Sequence, residues 1–389
     1  MLRQDARLRA YRTDWMAWAV AFVLIAVCVA AGAEPVHGRI ETLGTGPNPI
    51  TVIYLWGTPY EMGFAHGKLC ADKVKGICEH LAMGACLAMN CTPTDLDKAW
   101  KQMEPFVPAR YREEMRGLAD GAGVKLQLVQ WAHAIPDLSQ HHCTFFAAWG
   151  KATHNGHLEQ IRALDYATEA GLQNSPALIV SKPDGGNVFV NIGWVGFIGC
   201  VSGMNLKHIA VSEIGDNFGH EHETLAGEPM PFVLRDVLER ANTLDDGVGI
   251  IRRAKRTSSF LYCVGDSKIP SARALRTAMD FCEVYDPSDY PGNRLENVVY
   301  WSMGWERDGK WNHKVYDALK ARWGSIDQDT GMRDVMRDLG TGSLHAIAYD
   351  VTALKLWVAN ASPGPQVVPG YQRDFVQFDL RRVANTLGP

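Results

Sequence analysis

The chain has 389 residues, 47% of them hydrophobic and 21% charged, with a formal net charge of −4. That balance describes a globular protein with chain enough for a large core, and it excludes a disordered or collagen-like polymer. No basic stripe runs along the sequence, so the electrostatic footprint of a nucleic-acid binder is absent.

In chain order, the first segment stands apart. Arg3, Arg7, Arg9 and Arg12 are followed by an almost wholly apolar run from Trp15 to Gly32 and by Ala31-Gly32-Ala33. A basic start, an apolar stretch and an A-x-A site predict a secretory signal peptide at residues 1–33, cut after Ala33. The run is also near the minimum length for a membrane span, so the alternative is an uncleaved anchor over residues 15–33. The positive flank puts the remainder outside the cytoplasm in both cases. The expected location is therefore secreted, periplasmic or otherwise extracytoplasmic, with a membrane tether if the segment is retained.

Residues 36–56 read as extended chain around a Gly/Pro turn. Thr58, Pro59 and Glu61 then spell a helix start, with Thr58 as N-cap and Glu61 closing a capping box. Helical patterning continues through Leu87, and residues 94–119 predict more helix, stopping at Asp120-Gly121-Ala122-Gly123. Residues Pro136 to His142 read as a polar loop. From Cys143 the texture turns to β: Thr144–Thr153, a turn at His154-Asn155-Gly156-His157, and Leu158–Tyr166 form a hairpin. A second hairpin spans Ala177–Trp194, and strands near 198–202 and 209–214 continue it. Helices are expected at 231–255, 316–321 and 330–338. Strands are expected at 258–264, 297–303, 343–349, 354–360 and 375–378. Hairpins imply antiparallel strands, and two antiparallel sheets whose outer faces are covered by helices satisfy this inventory. The predicted fold is α+β, a four-layer α/β/β/α sandwich.

The sequence has no Walker A, dinucleotide-binding, H-E-x-x-H or G-x-S-x-G motif. No C-x-x-C pair occurs either, which argues against a structural zinc site, and neither a cofactor nor a metal is expected. Export would permit disulfides. Without Cys28, eight cysteines remain; if Cys143 is reactive, seven are left, an odd number. Cys143 itself begins a strand directly after a polar segment, and Arg162-Ala163-Leu164-Asp165 lies across one hairpin from it. Between Ala33 and Cys143 lie 109 residues, enough for a folded pro-region.

The segment CTFFAAWGKATHNGHLEQIRALDY resembles the nucleophile hairpin of the acyl-coenzyme A:6-aminopenicillanic-acid acyltransferase family, the C45 peptidase-type group of N-terminal-nucleophile (Ntn) hydrolases. That group is related to bile-salt hydrolases and acid ceramidase-like amidases. GTPYEMGFAHGKL (57–69), GLADGAG (117–123), GMNLKHIAVSEI (203–214) and SLHAIAYDVTALKLWVANA (343–361) are similar to further family stretches, so the resemblance spans about 39–362.

The resemblance implies an Ntn fold and self-cleavage just before Cys143. It divides the chain into residues 1–33, a pro-region 34–142 and a catalytic subunit 143–389. Cleavage frees an α-amine of pKa about 7.7–8, which gives one residue both a nucleophile and a general base. Cys143 would then form a thioester with the acyl group of an amide or thioester substrate. Arg162 would lower the thiol pKa, and Asp165 would orient the α-ammonium. Arg162 and Asp165 are three apart, so a regular strand turns them to opposite faces. A hairpin centred on Asn155-Gly156 puts Asp165 opposite Phe146, and one centred on His154 puts it opposite Cys143. Asn205, Asn217 and Asn297 are the candidate oxyanion donors. His66, beside Gly63 and Gly67, reads as a residue of close helix packing. The pro-segment is expected to remain as a heterodimer partner. The implied partner otherwise is a small N-acyl or acyl-thioester substrate. Two other readings use the same residues: a non-catalytic member that keeps the fold, and a metal-dependent hydrolase built on His141, His142, His154, His157 and Glu159.

Overall fold

A computed structural model describes residues 35–44, 48–139, 143–216, 220–303, 310–364, 366–383 and 387–388. Residues 1–33, expected to be a signal peptide or anchor, and His141, His142 and Asn217 lie outside the described residues. Among the described residues no helix is long and apolar enough to cross a membrane. Residues from His37 onward form one compact unit.

The first strands, β1 (Gly38–Leu43) and β2 (Ile50–Gly57), pair antiparallel, and α1 (Pro59–Leu69) follows at once. Thr58 caps α1: its backbone N–H donates to Glu61 Oε2 at 2.8 Å, and its hydroxyl accepts from the Glu61 N–H. Helices α2 (Ala71–Ala88), α3 (Pro93–Met103), α4 (Ala109–Ala122) and α5 (Leu126–Leu138) complete the N-terminal part. The two glycine-bearing stretches singled out in the sequence meet here. A Cβ on Gly63 of α1 would lie 2.0 Å from the Glu114 carbonyl of α4, and one on Gly117 would lie 2.2 Å from the Tyr60 carbonyl. Gly67 and Gly121 repeat the arrangement one turn on. Four glycines thus bring two helix backbones into direct contact, which no residue with a side chain permits. His66 is fully buried in this region, and its Nε2 accepts the Gly196 N–H at 2.9 Å, a packing role as the sequence suggested.

The remaining strands are β3 (Cys143–Gly150), β4 (Gly156–Leu164), β5 (Pro176–Pro183), β6 (Phe189–Trp194), β7 (Ser202–Asn205), β8 (Ile209–Gly215), β9 (Phe260–Asp266), β10 (Ser271–Thr277), β11 (Cys282–Tyr285), β12 (Val298–Ser302), β13 (His345–Asp350), β14 (Lys355–Asn360) and β15 (Val376–Asp379). They build a nine-stranded sheet ordered β1-β2-β5-β6-β7-β8-β9-β10-β11 and a six-stranded sheet ordered β12-β3-β4-β13-β14-β15. Helices α6 (Met230–Arg240) and α7 (Leu244–Arg253) pack on the larger sheet. Helix α8 (Lys310–Arg322) and a π-helix (Thr330–Arg337) pack on the smaller. Strands β3 and β4 face β8 and β9 across the middle, which makes the α/β/β/α layering.

Strand β3 shows why both faces are apolar. Cys143, Phe145, Ala147 and Trp149 join the core between the sheets, while Phe146 and Ala148 join a second core under the outer helices. A strand buried on both sides loses the hydrophobic–polar alternation of a half-exposed one.

Three features depart from the sequence reading. The larger sheet is not purely antiparallel, because β2 pairs parallel with β5, from Thr51↔Ala177 to Gly57↔Pro183. A long helical crossover separates those strands, as parallel pairing requires. Pro136–Leu138 is helix, not loop, and Pro136 lies inside α5. Strands β10 and β11, a hairpin extending the larger sheet, carry no strong signal in the sequence.

Candidate active site

Strand β3 presents Cys143 at its first residue, 3% exposed, on the face between the sheets. Strand β4 runs antiparallel to it and brings Arg162 to the same face, 1% exposed. Arg162 Nη2 donates to Cys143 Sγ at 3.7 Å and to Glu213 Oε2 at 3.0 Å. Its Nε donates to the Glu213 carbonyl at 2.8 Å, and Nη1 meets His345 Nε2 at 3.2 Å. A guanidinium only donates, so His345 Nε2 is the acceptor and carries no proton. Burial, aided by the Arg162 charge, holds the His345 ring well below the ordinary histidine range, in agreement with that tautomer. Trp194 stacks on the ring at 5.4 Å.

Glu213 is buried and comes from β8 of the facing sheet. Burial raises its carboxyl pKa, and Arg162 opposes the shift. The pair therefore ties the two sheets together at the floor of the site. Burial also pushes the Cys143 thiol up to about 12; the Arg162 charge and a hydrogen bond from the Asp165 backbone pull the other way. Arg162 therefore moderates the rise without cancelling it.

Asp165 lies one residue past β4, on the opposite side from Arg162. Its carboxylate accepts from the Thr341 hydroxyl at 2.6 Å and from the Gly342 and Ser343 backbone N–H groups at 2.8 and 2.7 Å. Thr341 also bonds Thr144, the residue after Cys143, at 3.2 Å. Asp165 thus reaches the start of β3 through Thr341, from the face away from the thiol. The register pairs Cys143 with Leu164, which neither simple hairpin centre gives. A shift between Ala148 and Gly150, with Gly150 at φ 56°, displaces the pairing.

The asparagines divide. Asn205 spends both amide hydrogens on the Leu238 and Ala241 carbonyls, and its oxygen accepts from Lys207 and Ile209. It fixes the β7–β8 turn beneath α6 and is not an oxyanion donor. Asn297 sits at the start of β12, where its carbonyl accepts from Trp149 at the far end of β3. Six residues at roughly 3.3 Å each place it about 20 Å from Cys143 along the strand. Asn217 lies outside the described residues. Glu213 and His345, which the sequence reading did not single out, are the residues the structure adds.

Above Cys143 opens a pocket of about 590 Å³ including its mouth. Leu81, Ala132, Ile135, Leu164, Leu172, Trp194, Phe197, Val201, Met230 and Phe260 line it, with Ser139 and Tyr166 as polar members. An apolar chamber with a nucleophilic atom and one buried ion pair at its base is the arrangement expected of a site for an apolar ligand.

Residues 153–276 match the family model described as Acyl-coenzyme A:6-aminopenicillanic acid acyl-transferase, the family the sequence resembles. The match contains Arg162, Asp165, Asn205 and Glu213 and begins ten residues after Cys143. Among curated proteins, the chain is 27% identical to Protein dcd1B of Dictyostelium discoideum, over 92% of this chain and 79% of that one. It is 30% identical to an uncharacterised protein of Archaeoglobus fulgidus, over 60% of this chain and 43% of that one. Among solved structures, it is similar to a Caenorhabditis elegans ortholog of N-acylethanolamine-hydrolyzing acid amidase, at a TM-score of 0.44 and 18% identity, covering 54% of this chain and 93% of the other. Penicillin V acylase from Agrobacterium tumefaciens matches at a TM-score of 0.36 and 12% identity, covering 58% and 84%.

Proposed function

We propose that this chain is a self-processing cysteine Ntn hydrolase or acyltransferase that takes an apolar acyl group from an amide or thioester through a Cys143 acyl-enzyme. The observation that carries the proposal is the Cys143 thiol at the base of an apolar pocket, 3.7 Å from a buried guanidinium. The family match to an acyltransferase supports it.

Processing begins when the thiol attacks the carbonyl of His142. The peptide C–N bond breaks, the acyl group moves to sulfur, and water hydrolyses that thioester. The His142 carboxylate and a free Cys143 α-amine result. The amine then takes the thiol proton as the sulfur attacks the substrate carbonyl, and the leaving amine departs with a proton. Water or an amine acceptor releases the acyl group. Arg162 holds the thiolate by charge, Glu213 holds Arg162, and Asp165 braces the start of β3 through Thr341. Asn217, two residues past β8, keeps the oxyanion role in this proposal. The two pieces stay together because β2 of the first pairs with β5 of the second over seven register positions. The basic, apolar N-terminal segment supports export, which fractionation in a native-like host tests.

The function is tested with a panel of N-acyl amides of increasing chain length, quenched in acid and digested. The peptide beginning at Cys143 should gain the mass of the acyl group, and apolar acyl groups should be preferred. Turnover with acyl label on another residue, or on none, would remove Cys143 from the mechanism.

A further inference from the structure

At the end of β4 remote from Cys143, three ligand-type side chains converge with no role in the site described above. His157 and Glu159 are two apart on β4 and so share a face. Asp350 of β13 pairs directly opposite Glu159. The face is the outer one, shared with Ile161 and Ala163 on β4 and with Ala346 and Ala348 on β13. One donor atom from each of the three lies within 4.8 Å of the other two.

Glu159 is 1% exposed, and neither of its carboxylate oxygens has a hydrogen-bond partner among the described residues. Glu159 also takes part in no ion pair among the described residues. Asp350 does not relieve it but adds a second negative charge, and like charges directly opposite on a sheet destabilise it. Asp327, from the loop entering the π-helix, is a third carboxylate near enough to act on Glu159. Arg381, whose guanidinium is near enough to act on Asp350, is already paired with Asp379. A proton would remove the charge but would still leave the carboxyl without a hydrogen bond in this arrangement. A buried carboxylate with neither counter-ion nor hydrogen bond costs several kcal/mol, and a buried polar group left without a partner calls for a bound ion or water.

The other two groups are already positioned. Asp350 Oδ1 accepts the Ala353 N–H at 2.8 Å, which fixes the β13–β14 turn and leaves Oδ2 facing His157 Nδ1 at 2.9 Å. The His157 side chain is 34% exposed, so the cluster opens to solvent on one side, where a water could complete a coordination shell.

We propose that His157, Glu159 and Asp350 bind a divalent transition-metal ion of the zinc class. A donor set of one imidazole and two carboxylates suits such an ion better than calcium, which takes six to eight oxygens. Ligand bonds of about 2.1 Å place donors roughly 3.5 Å apart, so closure from within 4.8 Å needs a movement of up to about 1.3 Å, within the reach of side-chain adjustment. Glu159 is five residues along β4 from Leu164, the partner of Cys143, a separation of about 16 Å. The ion would therefore clamp β4 to β13 behind the catalytic hairpin and take no part in acyl chemistry. The inference does not depend on the proposed activity.

The test uses the full-length chain dialysed against a chelator and then against a slight excess of zinc sulfate. Bound metal is measured by mass spectrometry of the elements, and the thermal midpoint is recorded with zinc, with calcium and with neither. One zinc per chain and a midpoint raised by several degrees with zinc, but not with calcium, are expected. Glu159→Gln and His157→Ala should weaken zinc binding by at least about tenfold and abolish the thermal response. Glu159→Gln removes a buried charge while keeping shape, so without metal it should melt at or above wild type. Its loss of response is then not a folding failure. His220→Ala/His222→Ala, which removes two histidines from the short helical turn His220–His222, outside the proposed site, should respond as wild type does. Failure to retain zinc, an equal response to calcium, or a zinc response that persists in Glu159→Gln and His157→Ala would overturn the proposal.

Discussion

Replacing Arg162 with methionine separates the structural and chemical parts of the site. The guanidinium is 1% exposed and makes two contacts to Glu213, one to His345 and one to Cys143. Removing it leaves the Glu213 carboxylate buried and unpaired, which should cost about 3–5 kcal/mol of stability. Glu213→Gln in the same chain removes that charge and should restore most of the loss. Reactivity should not return with it. At 3.7 Å from sulfur, with an effective dielectric near 20, the charge favours a thiolate by about 4 kcal/mol. The Glu213 carboxylate on the same guanidinium cancels part of this. Alkylation of Cys143 should therefore slow roughly 10- to 100-fold, equivalent to about 1.4–2.7 kcal/mol. Iodoacetamide labelling at neutral pH, followed at the Cys143 peptide by mass spectrometry, gives the rate, and denaturant unfolding gives the stability. An Arg162→Met/Glu213→Gln chain that labels at the wild-type rate would refute the charge argument, even if its stability returned as expected.

Other outcomes follow from the same geometry. Asn205→Ala should lower the unfolding midpoint, since it strands the backbone groups of the β7–β8 turn and α6, yet leave Cys143 labelling unchanged; altered labelling would return Asn205 to the site. Gly63→Ala and Gly117→Ala should each destabilise the fold strongly, because the added methyl meets a backbone carbonyl at about 2 Å; an unchanged melting curve would disprove the close α1–α4 contact. Asp137 is buried, and burial raises its carboxyl pKa to about 7 from a usual 3.8, against hydrogen bonds from Thr257 and Met230. The folded state thus binds its proton more tightly, so its contribution to stability is present below about pH 4 and is lost as pH rises through 7. Asp137→Asn should flatten the stability profile between those values, and an unaltered profile would contradict the assignment.

Local chemistry is legible in the sequence. Thr58, Pro59 and Glu61 specify a helix start by side chains three residues apart, and the Cys143–Leu164 hairpin follows from apolar runs around Asn155-Gly156. The hairpin register was not readable, because a positive-φ bulge at Gly150 displaces it by a residue. Glu213 and His345 were missed because their partner lies 51 and 183 residues away. A charged residue at the core-facing position of IAVSEI is the one local hint, since such a charge must be paired once buried. The parallel β2–β5 pair was hidden by the helices between its strands, and α5 by the proline near its end.

The most direct measurement is the N-terminal sequence of purified protein that is turning over an acyl amide. Two pieces that co-migrate under native conditions are expected, the larger reading Cys-Thr-Phe-Phe-Ala-Ala, and Cys143→Ala should give a single inactive chain. Full activity in a chain still joined between His142 and Cys143 would contradict the mechanism, because an amide nitrogen cannot take the thiol proton.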